Sequence, residues 1–294
     1  MAEPARLTAM LGSYPHTLPL KQQRITSPLL TLTFEEVEPV HKAFKPMAMR
    51  QNRDICEMAI VTYLQAKSYN KPIFMLPFVV AARFQQGCII HNAARGPLGL
   101  PDLRGKKIGV RSYAQTTGVW VRGILHNTYG IAPDANQWIT FDPAHLEEYQ
   151  DPAWCLRAAP EQKLLPMLRA GEIDAAILGN DLPDEAGLVP LITDHEAADQ
   201  AWYQQNRFVP INHVVVMTHA AARANPGTVA ALYAMLLEAK AAGQPQPTGI
   251  DRFPAGFDAL REPLTVLLRY CEQQNLLGRP VTFEEIRADF EAFV

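Results

Sequence analysis

The stretch of sequence that decides the fold reads DLRGKKIGVRSYAQTTGVWVR and spans residues 102–122. It begins with a polar turn, Arg104 to Lys107, which leads into a short apolar strand. A polar, hydroxyl-rich loop follows, and this loop opens a helix predicted over about 116–129. Such a strand–loop–helix unit presents backbone N–H groups and the positive end of a helix at the carboxyl edge of a sheet, where anions bind.

Several polar side chains of this stretch suit the binding of a carboxylate. Thr116 and Thr117 stand at the predicted helix start, where their hydroxyls can cap unpaired N–H groups. Arg111 precedes them, Arg122 follows on the helix, and Tyr113 offers an aromatic wall. We therefore predict a carboxylate-binding loop. An ordinary turn with two surface arginines fits the pattern equally well. A further alternative for Arg122 is that it braces the lobe of the protein that contains this helix.

Length and composition place the chain among globular proteins of one large domain or two ordinary ones. Its 294 residues are 48% hydrophobic and 19% charged, so a sizeable core can form and disorder is excluded. The net charge of -3, with both signs interspersed, offers no basic surface for nucleic acid. The longest apolar runs, such as residues 73–82, fall short of the roughly 20 residues that span a bilayer. Neither a nucleic-acid partner nor a membrane segment is expected.

The N-terminus and the cysteines indicate a cytoplasmic protein. Residues 1–6 lack the basic and apolar regions of a secretory signal, although a leader removed beforehand would leave the same pattern. The four cysteines are far apart and form no CxxC motif, which is typical of reduced thiols. The aspartates share no metal-ligand spacing with a histidine, so no dedicated metal site is predicted. A loosely held divalent ion is left open.

Short apolar strands alternate with helical segments along most of the chain. Strands are predicted at residues 7–11, 29–34, 55–60, 73–80, 88–92, 107–110, 137–141, 173–178 and 211–218. Helical spacing at residues 35–44 is expected to end at Pro46. This alternation is typical of an α/β fold with largely parallel sheets. The lack of a linker indicates that the chain crosses between two lobes more than once.

Several segments carry, in order along the chain, the motifs of a known family. The most specific are VWVRGIL at residues 119–125 and FVPINHVVV at residues 208–216. The others are the opening stretch at 102–110, DICEM at 54–58, Tyr63 with Leu64, Arg83 with Phe84, Cys88 with Ile89, Tyr129 with Gly130, and GEIDAAI at 171–177. With these motifs, which run from about residue 12 to residue 240, the chain resembles the 4,5-dihydroxyphthalate decarboxylase family.

The resemblance implies a particular fold. It is the two-lobed type II periplasmic binding-protein-like fold, of venus-flytrap architecture, with a mixed, mostly parallel sheet in each lobe. Lobe 1 would contain residues 1–90 and 212–294, and lobe 2 residues 91–211. The ligand would lie in a cleft between the lobes.

The resemblance also implies cofactor-independent decarboxylation of a hydroxylated aromatic di- or polycarboxylate, as in phthalate degradation. This reaction requires that the retained carboxylate be anchored, that a proton reach the ring carbon, and that carbon dioxide leave into an apolar space. An ortho or para hydroxyl accepts the ring electrons, so no external cofactor is required. Two departures from the family bear on the substrate. Gln85 and Gln86 replace a basic Arg-His pair, and Ala59 replaces a serine.

Two histidines are candidates for the proton transfer. His213 lies on an apolar strand, and histidine titrates near neutral pH, so it can donate and regain a proton. Asn212 alternates to the opposite face of that strand. His16 follows the first strand, at the edge where ligand-binding residues gather. The alternatives are a buried strand histidine bonded to backbone for His213 and a solvated loop residue for His16.

Substrate-binding roles are assigned to three further residues outside the opening stretch. Arg83 follows a strand and has no obvious acidic partner nearby in the sequence, which favours a ligand carboxylate over plain surface exposure. Glu57 lies inside an apolar strand, where an unpaired carboxylate is costly. It is therefore either a ligand-binding residue or the structural partner of an arginine. Tyr14 shares the loop of His16.

The sequence thus predicts a cytoplasmic decarboxylase whose partner is a small aromatic carboxylate, and homo-oligomerisation is left open. The principal alternative is a non-catalytic solute-binding protein for a small carboxylate, serving an ABC-type transporter or a sensor on the same fold. An enzyme of the pyrimidine-precursor synthase type is less favoured, because its cysteine-rich and glycine-rich motifs are not found in this sequence.

Overall fold

The computed structural model describes residues 3–179, 182–243 and 249–294. The strands of this part are β1 (Ala5–Met10), β2 (Leu30–Phe34), β3 (Ile55–Ala59), β4 (Ile73–Ala82), β5 (Ile89–Asn92), β6 (Lys107–Val110), β7 (Gln137–Thr140), β8 (Cys155–Arg157), β9 (Ala175–Ile177), β10 (Leu188–Pro190) and β11 (Ile211–Thr218). The helices are α1 (Leu18–Lys21), α2 (Phe44–Arg50), α3 (Ile60–Ser68), α4 (Thr116–Tyr129), α5 (Leu164–Ala170), α6 (His195–Asn206), α7 (His219–Ala224), α8 (Thr228–Gly243), α9 (Phe257–Gln273) and α10 (Phe283–Glu291).

The first of two compact units contains Met1–Arg83, Ile211–Thr265 and Leu277–Val294. Its five-stranded sheet has the order β2-β1-β3-β11-β4. β1 runs parallel to β2 and β3, whereas β11 runs antiparallel to both of its neighbours. Nearly every residue of β3, β11 and the first part of β4 is buried, which explains why these strands have almost continuous apolar sequences.

The second unit contains Phe84–Pro210 and Val266–Leu276. Its six-stranded sheet has the order β10-β5-β9-β6-β7-β8, in which β9, β6, β7 and β8 run parallel. In β6, a Cβ on Gly109 would lie 2.4 Å from Cδ1 of Leu164 and 2.6 Å from Cδ1 of Ile173. Glycine is therefore required where these two side chains pack against the strand.

The boundaries of the units differ from the predicted lobes at three places, of which the first is Ile211, predicted in lobe 2 and found in the first unit. Residues 84–90 belong to the second unit, because β5 pairs there with β9 and β10. Val266–Leu276, within the last part of α9 and just after it, also belongs to the second unit. In this segment Tyr270 packs so closely on α4 that a Cβ on Gly123 would lie 1.9 Å from its ring. The ligand cleft between the lobes stays a prediction.

The helices agree with the sequence at α4 and differ at α2. α4 begins at Thr116, as predicted, and Gly130 ends it in the left-handed conformation, with a φ of 69°. The predicted helix end at Pro46 is wrong, since α2 begins at Phe44 and carries Pro46 in its first turn. Proline is tolerated there because first-turn N–H groups have no acceptor within the helix. None of the described helices is long and apolar enough to cross a membrane.

Candidate functional site

The centre of the candidate site is the carboxylate of Glu57 in β3, which is fully buried. Its Oε2 accepts a hydrogen bond of 2.8 Å from the backbone N–H of Gly12. Its Oε1 accepts one of 2.9 Å from the hydroxyl of Tyr14 and lies 2.6 Å from Nδ1 of His213. Groups from two distant parts of the sequence, the loop of Gly12 and Tyr14 and the strand of His213, therefore converge on one buried carboxylate.

The sheet register of the first unit explains this convergence. Val215 of β11 lies opposite Glu57 of β3, and His213 lies opposite Ala59. Residues two apart on a strand share a face, so His213 reaches Glu57 diagonally across the strand pair. The loop after β1 supplies Gly12 and Tyr14, because β1 runs parallel to β3 and both strands end at the same edge. The site is thus built at the carboxyl edge of parallel strands.

The hydrogen bonds keep Glu57 ionised despite its burial. Burial acts to raise the pKa of Glu57, but the hydrogen bond and charge of His213, with the donors Gly12 and Tyr14, outweigh it and leave the pKa below its usual range. Burial and the negative charge of Glu57 raise the pKa of Tyr14 well above its usual value. Tyr14 therefore remains a protonated phenol that donates to the carboxylate.

His213 is held by its Nδ1 and exposed on its other side. Its side chain is 23% exposed, whereas Glu57 behind it is fully buried. The ring of Phe44 meets the imidazole edge-on at 5.1 Å. Within the described residues, the hydrogen bond to Glu57 is the one that the imidazole makes, through Nδ1. This arrangement fixes the ring through one nitrogen and leaves Nε2 for a ligand.

His16, predicted to assist the proton transfer, lies in the packed interior of the first unit. It is 2% exposed, and its Nε2 donates a hydrogen bond of 2.9 Å to the carbonyl of Val80. Its ring stacks against Tyr14 at 5.5 Å and against Phe253 at 4.6 Å. Burial lowers the pKa of His16, so the ring is neutral near pH 7. This placement corrects the solvated-loop alternative and does not suit proton exchange with a ligand.

Arg83 lies one residue beyond β4, at the end of the sheet that carries His213. The register pairs His213 with Ala81, so Arg83 is two residues further along the neighbouring strand. It is partly exposed. Arg83 therefore lies at the same end of this sheet as His213.

The opening stretch in the second unit divides into an exposed arginine and a buried helix start. Arg111 is 34% exposed, and its guanidinium lies 3.9 Å from the carboxylate of Asp142. Thr116 and Thr117 begin α4, but their side chains are buried, and the N-cap residue is Gln115. Carboxylate binding by Arg111 and the two threonines remains a prediction.

Tyr113 and Arg122 lie inside the second unit, which corrects their predicted contact with substrate. Tyr113 is fully buried, and Arg122 is 1% exposed. The guanidinium of Arg122 lies 3.8 Å from the centre of the Tyr113 ring and 4.9 Å from that of Trp138. It donates to the carbonyl of Tyr113 and, at 2.7 Å, to the side-chain oxygen of Gln274. The alternative that Arg122 braces its lobe fits this geometry.

Gln85 and Gln86, which replace the basic pair of the family, are also buried. The hydroxyl of Tyr129 donates a hydrogen bond of 2.6 Å to the side-chain oxygen of Gln86, and the backbone N–H of Gln86 donates to Asp199 at 3.3 Å. These contacts connect α4 and α6 within the second unit. Gln86 therefore links these two helices.

Sequence reasoning missed two residues of the site, Gly12 and Phe44. A Cβ on Gly12 would lie 2.6 Å from the ring of Tyr14, so the tyrosine packs directly on the glycine backbone. A glycine immediately after a predicted strand was a usable signal for such a close approach. Phe44 offered no signal, because its contact with His213 depends on how α2 packs. In the described part of the chain, no group of three or more His, Cys, Asp or Glu side chains is arranged to hold a metal ion.

Solved structures define the class of protein by its fold. Two crystal structures of the desulfurization enzyme DSZB, one of them a mutant in complex with biphenyl-2-sulfinic acid, have TM-scores of 0.51 and 0.50 at 13% identity. The aligned residues make up 98% of this chain and 99% of each DSZB chain. The alkanesulfonate-binding protein SsuA of Xanthomonas axonopodis pv. citri has a TM-score of 0.47 at 14% identity, over 100% of this chain and 86% of its own. The DSZB structures share the fold of this chain, and the predicted α/β architecture with a mixed sheet in each unit is confirmed.

Two curated proteins are similar to this chain in sequence. The chain is 26% identical to a 4,5-dihydroxyphthalate decarboxylase of Comamonas testosteroni over 249 residues, which are 80% of this chain and 75% of the relative. It is 27% identical to a protein of the same name from Pseudomonas putida over 215 residues, which are 67% of this chain and 81% of the relative. No family model matches the chain. The resemblance inferred from the motifs is confirmed.

Proposed function

We propose that the protein is a cofactor-independent decarboxylase of a hydroxylated aromatic acid, of the 4,5-dihydroxyphthalate type, in which His213 transfers the proton. The observation that carries the proposal is the contact of 2.6 Å between His213 Nδ1 and the buried carboxylate of Glu57. A fully buried carboxylate that hydrogen bonds to one nitrogen of a partly exposed imidazole fixes the orientation of that ring. The two decarboxylase relatives supply the reaction class.

The pair performs the reaction in two steps. The Nε2–H of protonated His213 transfers its proton to the ring carbon that bears the leaving carboxylate, and an ortho or para hydroxyl, which keeps its own proton, shares the positive charge of the protonated ring through its oxygen. The bond from that carbon to the carboxylate then breaks, its electron pair returns to the ring, and carbon dioxide leaves. The imidazole regains a proton from water. Glu57 stays ionised throughout, which its lowered pKa supports.

Arg83 is the proposed contact for the carboxylate that stays on the ring. It lies two residues beyond Ala81, the register partner of His213, at the same sheet end. A guanidinium binds a carboxylate through two parallel hydrogen bonds, which would hold the ring in a defined orientation. Arg111, with the helix start at Thr116 and Thr117, is the corresponding proposal for the second unit.

The test is turnover with a matched pair of histidine variants. The purified protein is incubated with a panel of hydroxylated phthalates and benzoates, with and without a chelator, and carbon dioxide release is measured. His213→Gln is expected to lower kcat by about 100-fold or more and to leave binding by calorimetry nearly unchanged. His195→Gln, on α6 of the second unit, is the control and should behave as the wild type.

The outcome also separates the two functional classes. Tight binding of an aromatic acid by the wild type with no carbon dioxide release from any member of the panel would overturn the enzyme proposal. It would favour a solute-binding protein instead. Equal turnover by wild type and His213→Gln would overturn the role of His213.

A further inference from the structure

We infer that Tyr14 is a positioning residue of the Glu57–His213 pair: its hydroxyl, clamped by the ring of His16 and the backbone of Gly12, fixes the carboxylate that aims His213. The inference rests on the proposed function of His213. It reassigns Tyr14 from substrate binding and His16 from proton transfer.

The geometry around the carboxylate supports this role. Tyr14 donates at 2.9 Å to the same Oε1 that lies 2.6 Å from His213 Nδ1, while Gly12 N–H holds Oε2 at 2.8 Å. With donors on both oxygens, the carboxylate of Glu57 has a single orientation. The imidazole of His213, which hydrogen bonds to this carboxylate, is therefore also held in one orientation.

The ring of Tyr14 is itself clamped by two neighbours. It lies against Gly12, where any Cβ would be 2.6 Å from the ring. The ring of His16 also stacks on it with an interplanar angle of 8°, and Phe253 in turn stacks on His16. The hydroxyl of Thr17 accepts from the N–H of Tyr14 at 2.9 Å and donates to the carbonyl of Gly12 at 2.6 Å. The loop therefore holds the phenol hydroxyl at a fixed place.

The shared oxygen couples Tyr14 to the ionisation of Glu57. A phenol that donates to a carboxylate favours its charged form, so loss of the hydroxyl raises the pKa of Glu57. Other charged or titratable groups act on the cluster, and all of them are retained in the variants below: Glu38 acts on Tyr14, Lys240 acts on His16, and Cys56 lies next to Glu57 on β3.

The test variant is Tyr14→Phe, which keeps the ring and removes the hydroxyl. Its kcat is expected to fall by about tenfold, because the hydrogen bond from Tyr14 to the charged carboxylate of Glu57 is lost. Its KM should change little, because that bond does not involve the substrate. The acid limb of its pH–rate profile should move to higher pH. NMR titration of the glutamate carboxyl carbons, with the Glu57 signal assigned by its loss in Glu57→Gln, should show the same shift without any turnover. Tyr233→Phe, on α8, is the control.

A second pair of variants tests the clamp. His16→Ala frees the Tyr14 ring and should shift the carboxyl titration in the direction of Tyr14→Phe. His16→Phe restores a flat ring and should return the titration toward the wild type. If His16→Phe instead matches His16→Ala, the stacking role is overturned.

The outcomes distinguish this inference from the proposed function. A raised KM with unchanged kcat and an unmoved carboxyl titration in Tyr14→Phe would make Tyr14 a substrate contact and overturn the inference. A shifted titration in a protein that releases no carbon dioxide would support the positioning geometry and overturn the decarboxylase proposal.

Discussion

Tyr14 and His213 contact the same oxygen of one buried carboxylate, at 2.9 and 2.6 Å from Oε1 of Glu57. The two residues are brought together by a parallel and an antiparallel neighbour of a single strand, β3. Glu57 is consequently the residue through which both act.

The stability of the protein should depend on the ionisation of Glu57. Its pKa is lowered in the folded state, so it contributes stability that is present above its unfolded value of about 4.5 and is lost as the pH falls through the lower folded value. Between about pH 7 and about pH 3, the melting temperature of Glu57→Gln should therefore fall less steeply than that of the wild type. The exposed Glu262→Gln serves as the control, and a parallel fall in wild type and Glu57→Gln would contradict the prediction.

His16 should contribute to pH dependence in a different window. Burial lowers its pKa, so the folded state resists protonation, and stability is lost as the pH falls below the unfolded value of about 6.5 toward the folded one. His16→Phe removes this titrating group. The free energy of unfolding of the variant, measured with urea, should therefore fall less than that of the wild type between about pH 7 and about pH 5. His195→Phe is the comparison. A steeper fall in His16→Phe would show that His16 is charged when folded.

Arg122→Lys should destabilise the second unit although it keeps the charge. Lysine cannot stack on Tyr113 and Trp138 or reproduce the forked contacts to Tyr113 and Gln274. We expect a loss of about 2–3 kcal/mol, because buried polar partners are left unsatisfied. Urea unfolding measures it, and Arg24→Lys at an exposed position should cost close to nothing. An unchanged midpoint for Arg122→Lys would mean that charge alone matters.

Gly123→Ala should disrupt the contact between α4 and α9. The new Cβ would lie 1.9 Å from the ring of Tyr270, so the helices must separate or the ring must move. A cost of about 1–3 kcal/mol is expected for such overpacking. In a Tyr270→Ala background the same substitution should cost much less, and a double-mutant cycle by urea unfolding measures the difference. Equal costs in the two backgrounds would rule out the steric explanation.

A feature of the fold could be predicted from the sequence where it depends on a few adjacent residues. The residues of α4 lie within one short window of sequence, and the helix has the predicted bounds. The error at Pro46 arose because a proline ends one helix or begins another, and the apolar spacing around it does not distinguish the two. β8 was missed because three residues at a sheet edge carry little pattern.

In the candidate site, too, individual residues could be predicted from the sequence, whereas contacts between distant residues could not. His213 and Glu57 stood out because each is a polar residue in an apolar strand, which is costly unless it has a partner. Their pairing could not be predicted, since 156 residues separate them and only the register of β11 against β3 brings them together. Tyr113 and Arg122 were predicted to contact substrate, with bracing of the lobe as the alternative for Arg122, because the sequence does not show which residues of the opening stretch are covered by packing.

The sequence by itself determined the alternation of strands and helices, the resemblance to the decarboxylase relatives and the two strand residues on which the proposal depends. Those are properties of local pattern and of matching motifs. Tertiary structure alone decided that Tyr14 and His213 share an oxygen of Glu57, that His16 lies buried behind Tyr14, and that Arg122 lies inside its unit. The physical reason is that ionisation and exposure depend on neighbours that packing brings from distant parts of the chain.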